Sequence, residues 1–138
     1  MKSYSPGEIS VIIDGQIISG FAEGTFISVA RDEDSSTFVP SATGGGSRTK
    51  NANKAGKVTL TLQQTSASNQ VLSDLLKADE DGDNSVFPIL IRDNSGTDLH
   101  KAEQVFIVKY AQGDYAKELS NREWILQAEV LEMNLGGN

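Results

Sequence analysis

The sequence predicts a mainly β domain, a two-sheet sandwich or barrel of seven or eight strands with one packed α-helix (about 66–78) and a long loop (31–57). Three observations carry this prediction. Apolar residues recur with a period of two in several separate segments, such as Ile9, Val11 and Ile13, or Val58, Leu60 and Leu62. A helical stripe occurs once, at Val71, Leu72, Leu75 and Leu76. Short turn signals separate most of the alternating segments, the layout of a sandwich or barrel.

The elements follow in order. Glu8 to Ile13 alternates and is rich in β-branched residues, and Asp14-Gly15 is a strong two-residue hairpin signal. Gln16 to Ser19 is the returning strand, and Gly20 and Gly24 bracket a bend. Thr25 to Ala30 is the third strand. Residues 31–57 change character: Arg31 to Ser36 is charged and polar, and Pro40 and Gly44-Gly45-Gly46 follow with the basic residues Arg48, Lys50, Lys54 and Lys57. Only Phe38-Val39 is apolar there. A loop of this length in a small domain is uncommon unless it serves a function, so it is expected to order against a partner.

Val58 to Gln63 alternates cleanly, with Val58, Leu60 and Leu62 inward and Thr59, Thr61 and Gln63 outward. Ser66 or Ser68 can cap the helix, which ends near Ala78 before Asp79-Glu80-Asp81-Gly82-Asp83-Asn84. Val86 to Ile91 reads as a buried strand, with Pro88 marking an edge or a bulge. Asp93 to Gly96 is a turn, residues 99–110 a long strand, 111–119 a loop and 122–133 the last strand.

Composition narrows the function. The chain has 138 residues, enough for one domain that buries roughly two-thirds of its unfolded surface. There is no cysteine and one histidine, so no disulfide framework, cysteine-held zinc or Cys/His pair is possible. The net charge is −7, against a surface that neutralises phosphates. No apolar run approaches the roughly 20 residues of a membrane span, so no membrane insertion is expected. Met1 to Pro6 lacks a signal-like apolar stretch, and cytosolic synthesis is expected.

Chemical motifs are weak. Asp79, Asp81 and Asp83 match the first positions of a calcium loop, but Asn84 stands where glycine is required and Leu90 where a glutamate is required. His100 reads as a surface residue at a strand start. Gly44-Gly45-Gly46 lacks the strand and helix that would aim its N–H groups at a phosphate. Glu129 and Glu132 are expected on opposite faces of one strand, too far apart to cooperate. Trp124 reads as core. The residues offer no catalytic site, no cofactor and no metal ligand set, so no enzyme is expected.

Several segments together resemble the tail tube proteins of contractile-tailed (myovirus-type) bacteriophages. They are Gly24 to Ser35, Gly56 to Asn69, Phe87 to Thr97, Ala102 to Val105, Ser120 to Trp124 and Gly136-Gly137-Asn138. Such proteins are similar in fold to the ring proteins of type VI secretion systems. The resemblance implies a structural virion protein forming hexameric rings that stack into a hollow inner tail tube, the conduit for DNA. It implies as partners further copies of the chain, the sheath, the baseplate and the tail terminator. DNA would pass without specific binding. The location would be the virion tail, assembled in the bacterial cytoplasm.

Strands apolar on both faces need cover that one helix cannot supply, and sheet continuation across subunits would supply it. The acidic balance disfavours sticking of DNA in a bore. One domain, 1–138, is expected, with residues 1–7 a flexible N-terminal arm and 31–57 an assembly loop. Ring-stacking candidates are Asp32, Glu33, Asp34, Arg48, Lys50, Lys54, Lys57, Asp79, Asp81 and Asp83, the basic cluster meeting acidic residues of the next ring. Residues 1–7 and Gly136-Gly137-Asn138 are expected to reach that ring too. Thr59, Thr61 and Gln63 are the bore-lining candidates, with a sheath-facing position as the alternative. The alternatives are a tube-initiator or terminator ring protein of the tail, or a monomeric ligand-binding β-sandwich.

Overall fold

The computed structural model describes residues 1–83 and 85–137, and among them are ten strands and one α-helix. β1 (Ile9–Ile13) and β2 (Gln16–Ile18) form a hairpin. Its turn residues Asp14 and Gly15 have φ of 51° and 77°, the left-handed pair that matches strand twist in a two-residue hairpin. β3 (Ile27–Arg31), β6 (Gly56–Gln63), β7 (Phe87–Asp93), β8 (Leu99–Lys109) and β9 (Asn121–Ala128) complete the main path. One eight-stranded sheet runs β2-β1-β7-β8-β9-β6-β3, and β10 (Glu132–Asn134) pairs with β8.

Both layers of the domain come from this sheet because β8 serves two neighbours in turn. Its first part pairs with β7 and β10, and its last part pairs with β9. Val105 is the handover, being the register partner of Phe87 on one side and of Ala128 on the other. The flanks of the sheet then curl together. Ile9 and Ile91 from one flank line a small cavity with Ile27 and Val29 of β3 from the other.

The core holds Val11, Ile13, Val58, Leu60 and Leu62, which alternation marked, together with Ile89 and Ile91, Val105 and Ile107, Trp124 and Leu126. The helix α1 (Ser68–Ala78) adds Leu72 and Leu76. Ser66 Oγ accepts the Ser68 N–H, so the predicted cap works just ahead of the first helical residue. Ser68 Oγ instead accepts the Ser19 N–H. Pro88 sits at a register shift in β7, the bulge its missing N–H requires.

Four readings change. Residues 31–57 are not an irregular loop: β4 (Ser36–Pro40) and β5 (Gly46–Lys50) pair as a separate hairpin. Its serine, threonine and glycine content gives no apolar alternation from which to read strands. The expected strand 122–133 is broken at 129–131, where Leu131 turns into the core. Gly56 makes room for it, since a Cβ there would collide with the Leu131 side chain and the Ala30 carbonyl. The break undoes the expected opposition of Glu129 and Glu132, which line one groove with Lys101 and Glu103. Finally, His100 is 6% exposed rather than a surface residue, because it shares the inward phase of β8 with Ala102.

Candidate assembly surfaces

The hairpin β4–β5 is an arm, with every one of its ten strand residues exposed. Directly opposed residues of an antiparallel pair share a face. Ser36, Phe38 and Pro40 therefore lie on one face with Lys50, Arg48 and Gly46. Thr37 and Val39 lie on the other with Thr49 and Ser47. One face is thus cationic and aromatic, and the other is neutral. Phe38 is 67% exposed, and its ring lies over Gly46, where a Cβ would collide with it.

The arm's root is firmly tied. The Asp32 N–H bonds the Ala55 carbonyl, and the Asn51 N–H bonds the Ser35 carbonyl. Asn51 Nδ2 donates to Glu33 Oε2 at 2.8 Å and to the Asp34 carbonyl, and Asn53 Nδ2 donates to Glu33 as well. Lys57 Nζ meets Asp32 Oδ1 at 3.0 Å, while Gln127 Nε2 donates to Asp32 Oδ2 at 2.9 Å. These bonds favour the ionised acids. The amide of Gln127 and then Lys57 hold Asp32 below its usual range, and Asn51 and Asn53 do the same for Glu33. The Arg31 guanidinium and the Lys54 carbonyl both engage the Leu131 backbone, fixing the root to the body.

The sequence-read stacking residues therefore divide. Asp32, Glu33, Asp34 and Lys57 build the root through hydrogen bonds within the chain. Arg48 and Lys50 stand along the arm, and Lys54 is exposed beside its root. Asp79 and Asp81 lie on a π turn that prolongs α1, close enough to Tyr110 that burial, then Glu80 and Asp81, push its hydroxyl pKa up. The side chain of Asp83 lies outside what the structure describes, as does Asn138. Gly136 and Gly137 lie against Thr97 of the 93–98 turn.

Thr59, Thr61 and Gln63 share the outward face of β6, flanked in register by Ser28 of β3 and by Ile125, Glu123 and Asn121 of β9. Charges of both signs are sparse on this surface, and Lys109 of β8 faces Ile125 in register. Lys57 is held by Asp32, and Glu123 is the carboxylate facing Thr61. Farther along lie Phe106 and Val108 of β8, both exposed. Phe106 and Tyr110, in the segment expected as the long strand 99–110, are both exposed. Strict alternation in β8 carried from Ala102 would turn Phe106 and Tyr110 inward, but the register with β7 shifts between Ala102 and Val105 and reverses the phase. The root network was also missed. Its trace in the sequence is Asn51 and Asn53, each bonding the N–H two residues on.

Among the described residues no cluster of three His, Asp or Glu could hold a metal, and no helix is long and apolar enough to cross a membrane.

The fold is similar to three solved chains of contractile injection machines. The anti-feeding prophage tube-terminating cap superposes with a TM-score of 0.68 at 11% identity, over 97% of this chain and 92% of that one. The sheath/tube terminator of the PVC extracellular contractile injection system gives 0.66 at 13%, over 97% and 98%. A chain of the PVC sheath–tube complex gives 0.63 at 12%, over 96% and 91%. In sequence, the chain is 30% identical over 145 residues to Structural protein ORF10 of Pseudomonas phage KPP10, spanning 99% of this chain and 84% of that protein. Residues 3–136 match the family model described as Bacteriophage PhiTE tail tube protein, and the chain belongs to that tail tube family.

Proposed function

We propose that the chain forms hexameric rings that stack into the hollow inner tube of a phage tail, through which DNA leaves the virion. The observation that carries this is the arm: a two-stranded hairpin with all ten strand residues exposed, including Phe38 and Val39. An isolated two-stranded hairpin is marginal in water, so such an element is built to lie on another chain. The curled sheet supplies the wall. Its outward face at Thr59, Thr61 and Gln63, sparse in charge, is the proposed bore lining. Neutral hydroxyls and amides release no counterions from a passing polyanion and hold it weakly. Low adhesion would therefore come from sparse charge at the wall itself, more than from the overall acidity.

Stacking joins the cationic face of the arm, Arg48 and Lys50 with Phe38, to the acidic turn Asp79 and Asp81 beside Tyr110 on a subunit of the next ring. The groove of Glu129 and Glu132 is a poorer target, since it adjoins the arm's own root through the Leu131–Lys54 bond. The sheath packs outside the tube, and the baseplate and terminator close its ends. Assembly takes place in the host cytoplasm, and no catalytic step is involved. Negative-stain electron microscopy with a solution mass tests the reading. Hollow tubes with sixfold end views support it. Single rings that never elongate point to a terminator or initiator, and a monomer with or without a baseplate nucleus points to a ligand-binding sandwich.

A further inference from the structure

The C-terminal tail crosses the mouth of the cavity where the flanks of the sheet meet. This cavity has a volume of about 210 Å³ and is lined by Ile9, Ile27, Ile91, Asp98, His100 and Leu135 among others. Three hydrogen bonds strap the tail down. Asn134 Nδ2 donates to the Thr97 carbonyl at 3.0 Å, the Gly136 N–H to Asp98 Oδ1 at 2.7 Å, and the Gly137 N–H to Thr97 Oγ1 at 2.7 Å. Gly136 is needed for the fit, whereas at Gly137 only the mobile end of a lysine stands in the way. A Cβ at Gly136 would run into Thr97, and one at Gly137 would come within 2.6 Å of Lys2 Nζ.

His100 stands under this strap, opposite Met133 in the β8–β10 pairing, and its Nδ1 is buried with no hydrogen-bond partner. Burial lowers the pKa of its ring, with Asp98 pulling the other way. The side chains facing it from β1, β3 and the tail, at Ile9, Ile27, Val29 and Leu135, are apolar. Arg31, farther along β3, is engaged by the Leu131 carbonyl. The charged neighbours are Asp93 of β7 and Asp98. Asp93 Oδ1 already accepts both the N–H and the hydroxyl of Ser95. The carboxylate of Asp98 has a weaker hold, a single backbone N–H of the tail.

We propose that this tail is an acid-released strap: when His100 takes a proton from solvent, the Asp98 carboxylate turns to the new cation, the Gly136 N–H loses its acceptor, and residues 134–137 lift from the cavity. The inference concerns the single chain and does not depend on the tube reading. The test is backbone amide exchange of the tail, corrected for intrinsic rates, from about pH 7.5 to about pH 5, where ordinary carboxylates stay ionised. The lone histidine makes the imidazole resonances of His100 unambiguous in the same samples. In the native chain, Gly136 protection should fall along the His100 titration, by about tenfold per pH unit on its steep part. His100→Gln should keep the tail protected throughout, and Asp98→Ala should leave it open at every pH. Protection that stays constant while His100 titrates would overturn the proposal, as would loss in His100→Gln at the same pH as in the native chain. Should His100→Gln fail to fold, the coincidence of the two midpoints in the native chain decides alone.

Discussion

Trp124 Nε1 donates to Asn69 Oδ1 at 3.0 Å in the buried interior, and this bond ties the fourth residue of β9 to the second residue of α1. The same Asn69 side chain donates through Nδ2 to the carbonyls of Gln63 and Ser66. One amide therefore satisfies the tryptophan and closes the turn that launches the helix. Asn69→Ala leaves a buried N–H without a partner, which costs about 1–3 kcal/mol. Urea unfolding should show a lower midpoint with an unchanged slope. Trp124→Phe removes both the ring volume and the donor, so its amide partner loses only one of several bonds.

The arm separates charge from fold. Arg48→Glu with Lys50→Glu should leave stability within about 0.5 kcal/mol of the native chain, as expected of exposed positions. Tube elongation, followed by sedimentation, should be lost while rings persist. Normal tubes from this variant would refute the stacking surface and leave the ring reading standing. Restored elongation on adding Asp79→Lys and Asp81→Lys to the same chain would identify the partner surface.

Acid should loosen the arm's root later than the tail. The depressed pKa values of Asp32 and Glu33 mean that their stabilising bonds are fully present above the ordinary carboxylate range. They are lost as pH falls through the lower folded values, below about pH 4. The bonded N–H groups of Asp32, Asn53 and Ala55 report this by amide exchange. His100 has the opposite chemistry but the same sign. Its lowered pKa gives stability that is complete above about pH 6.5 and declines as pH falls below it.

Gly56→Ala probes the broken strand. The added methyl meets the Leu131 side chain and the Ala30 carbonyl, and overpacking of this kind costs about 1–3 kcal/mol. The thermal midpoint should fall accordingly. Gly136→Ala should displace the tail from Thr97 and leave global unfolding nearly unchanged, because that contact lies at the exposed end of the chain.

The proposed wall is tested by giving it charge. Thr59→Lys places an ammonium beside Ser28 and Ile125, where no carboxylate faces it in register. Assembled tubes of this variant should retain DNA at low salt and release it as salt rises. Thr61→Lys should have a smaller effect, because Glu123 sits opposite it. Retention no greater than that of native tubes in both variants would place Thr59 and Thr61 elsewhere than the bore.

The β class was legible because alternation in β1, β6 and β9 is enforced by a single buried face. Val58, Leu60 and Leu62 could occupy no other phase without exposing all three. The single helix was legible from its stripe. The arm was not, since Phe38 and Val39 are exposed and its strands are set by pairing rather than by burial. His100 was misjudged because its placement depends on the phase of β8, which a lone polar residue near a turn does not reveal. Of the candidate site, the charges were readable and their partners were not. Lys57 was counted among the stacking residues, yet it reaches Asp32, 25 residues away in sequence.

Because β8 passes from one layer to the other at Val105, the two layers are spliced by a continuous covalent backbone as well as by packed side chains. A force that slides one layer over the other must stretch that strand, whereas sandwiches whose layers meet only through side chains yield by slippage. For a subunit loaded along its length during a sudden thrust, the weak direction then moves to the boundaries between subunits. Mechanical failure should begin there, with each domain still folded.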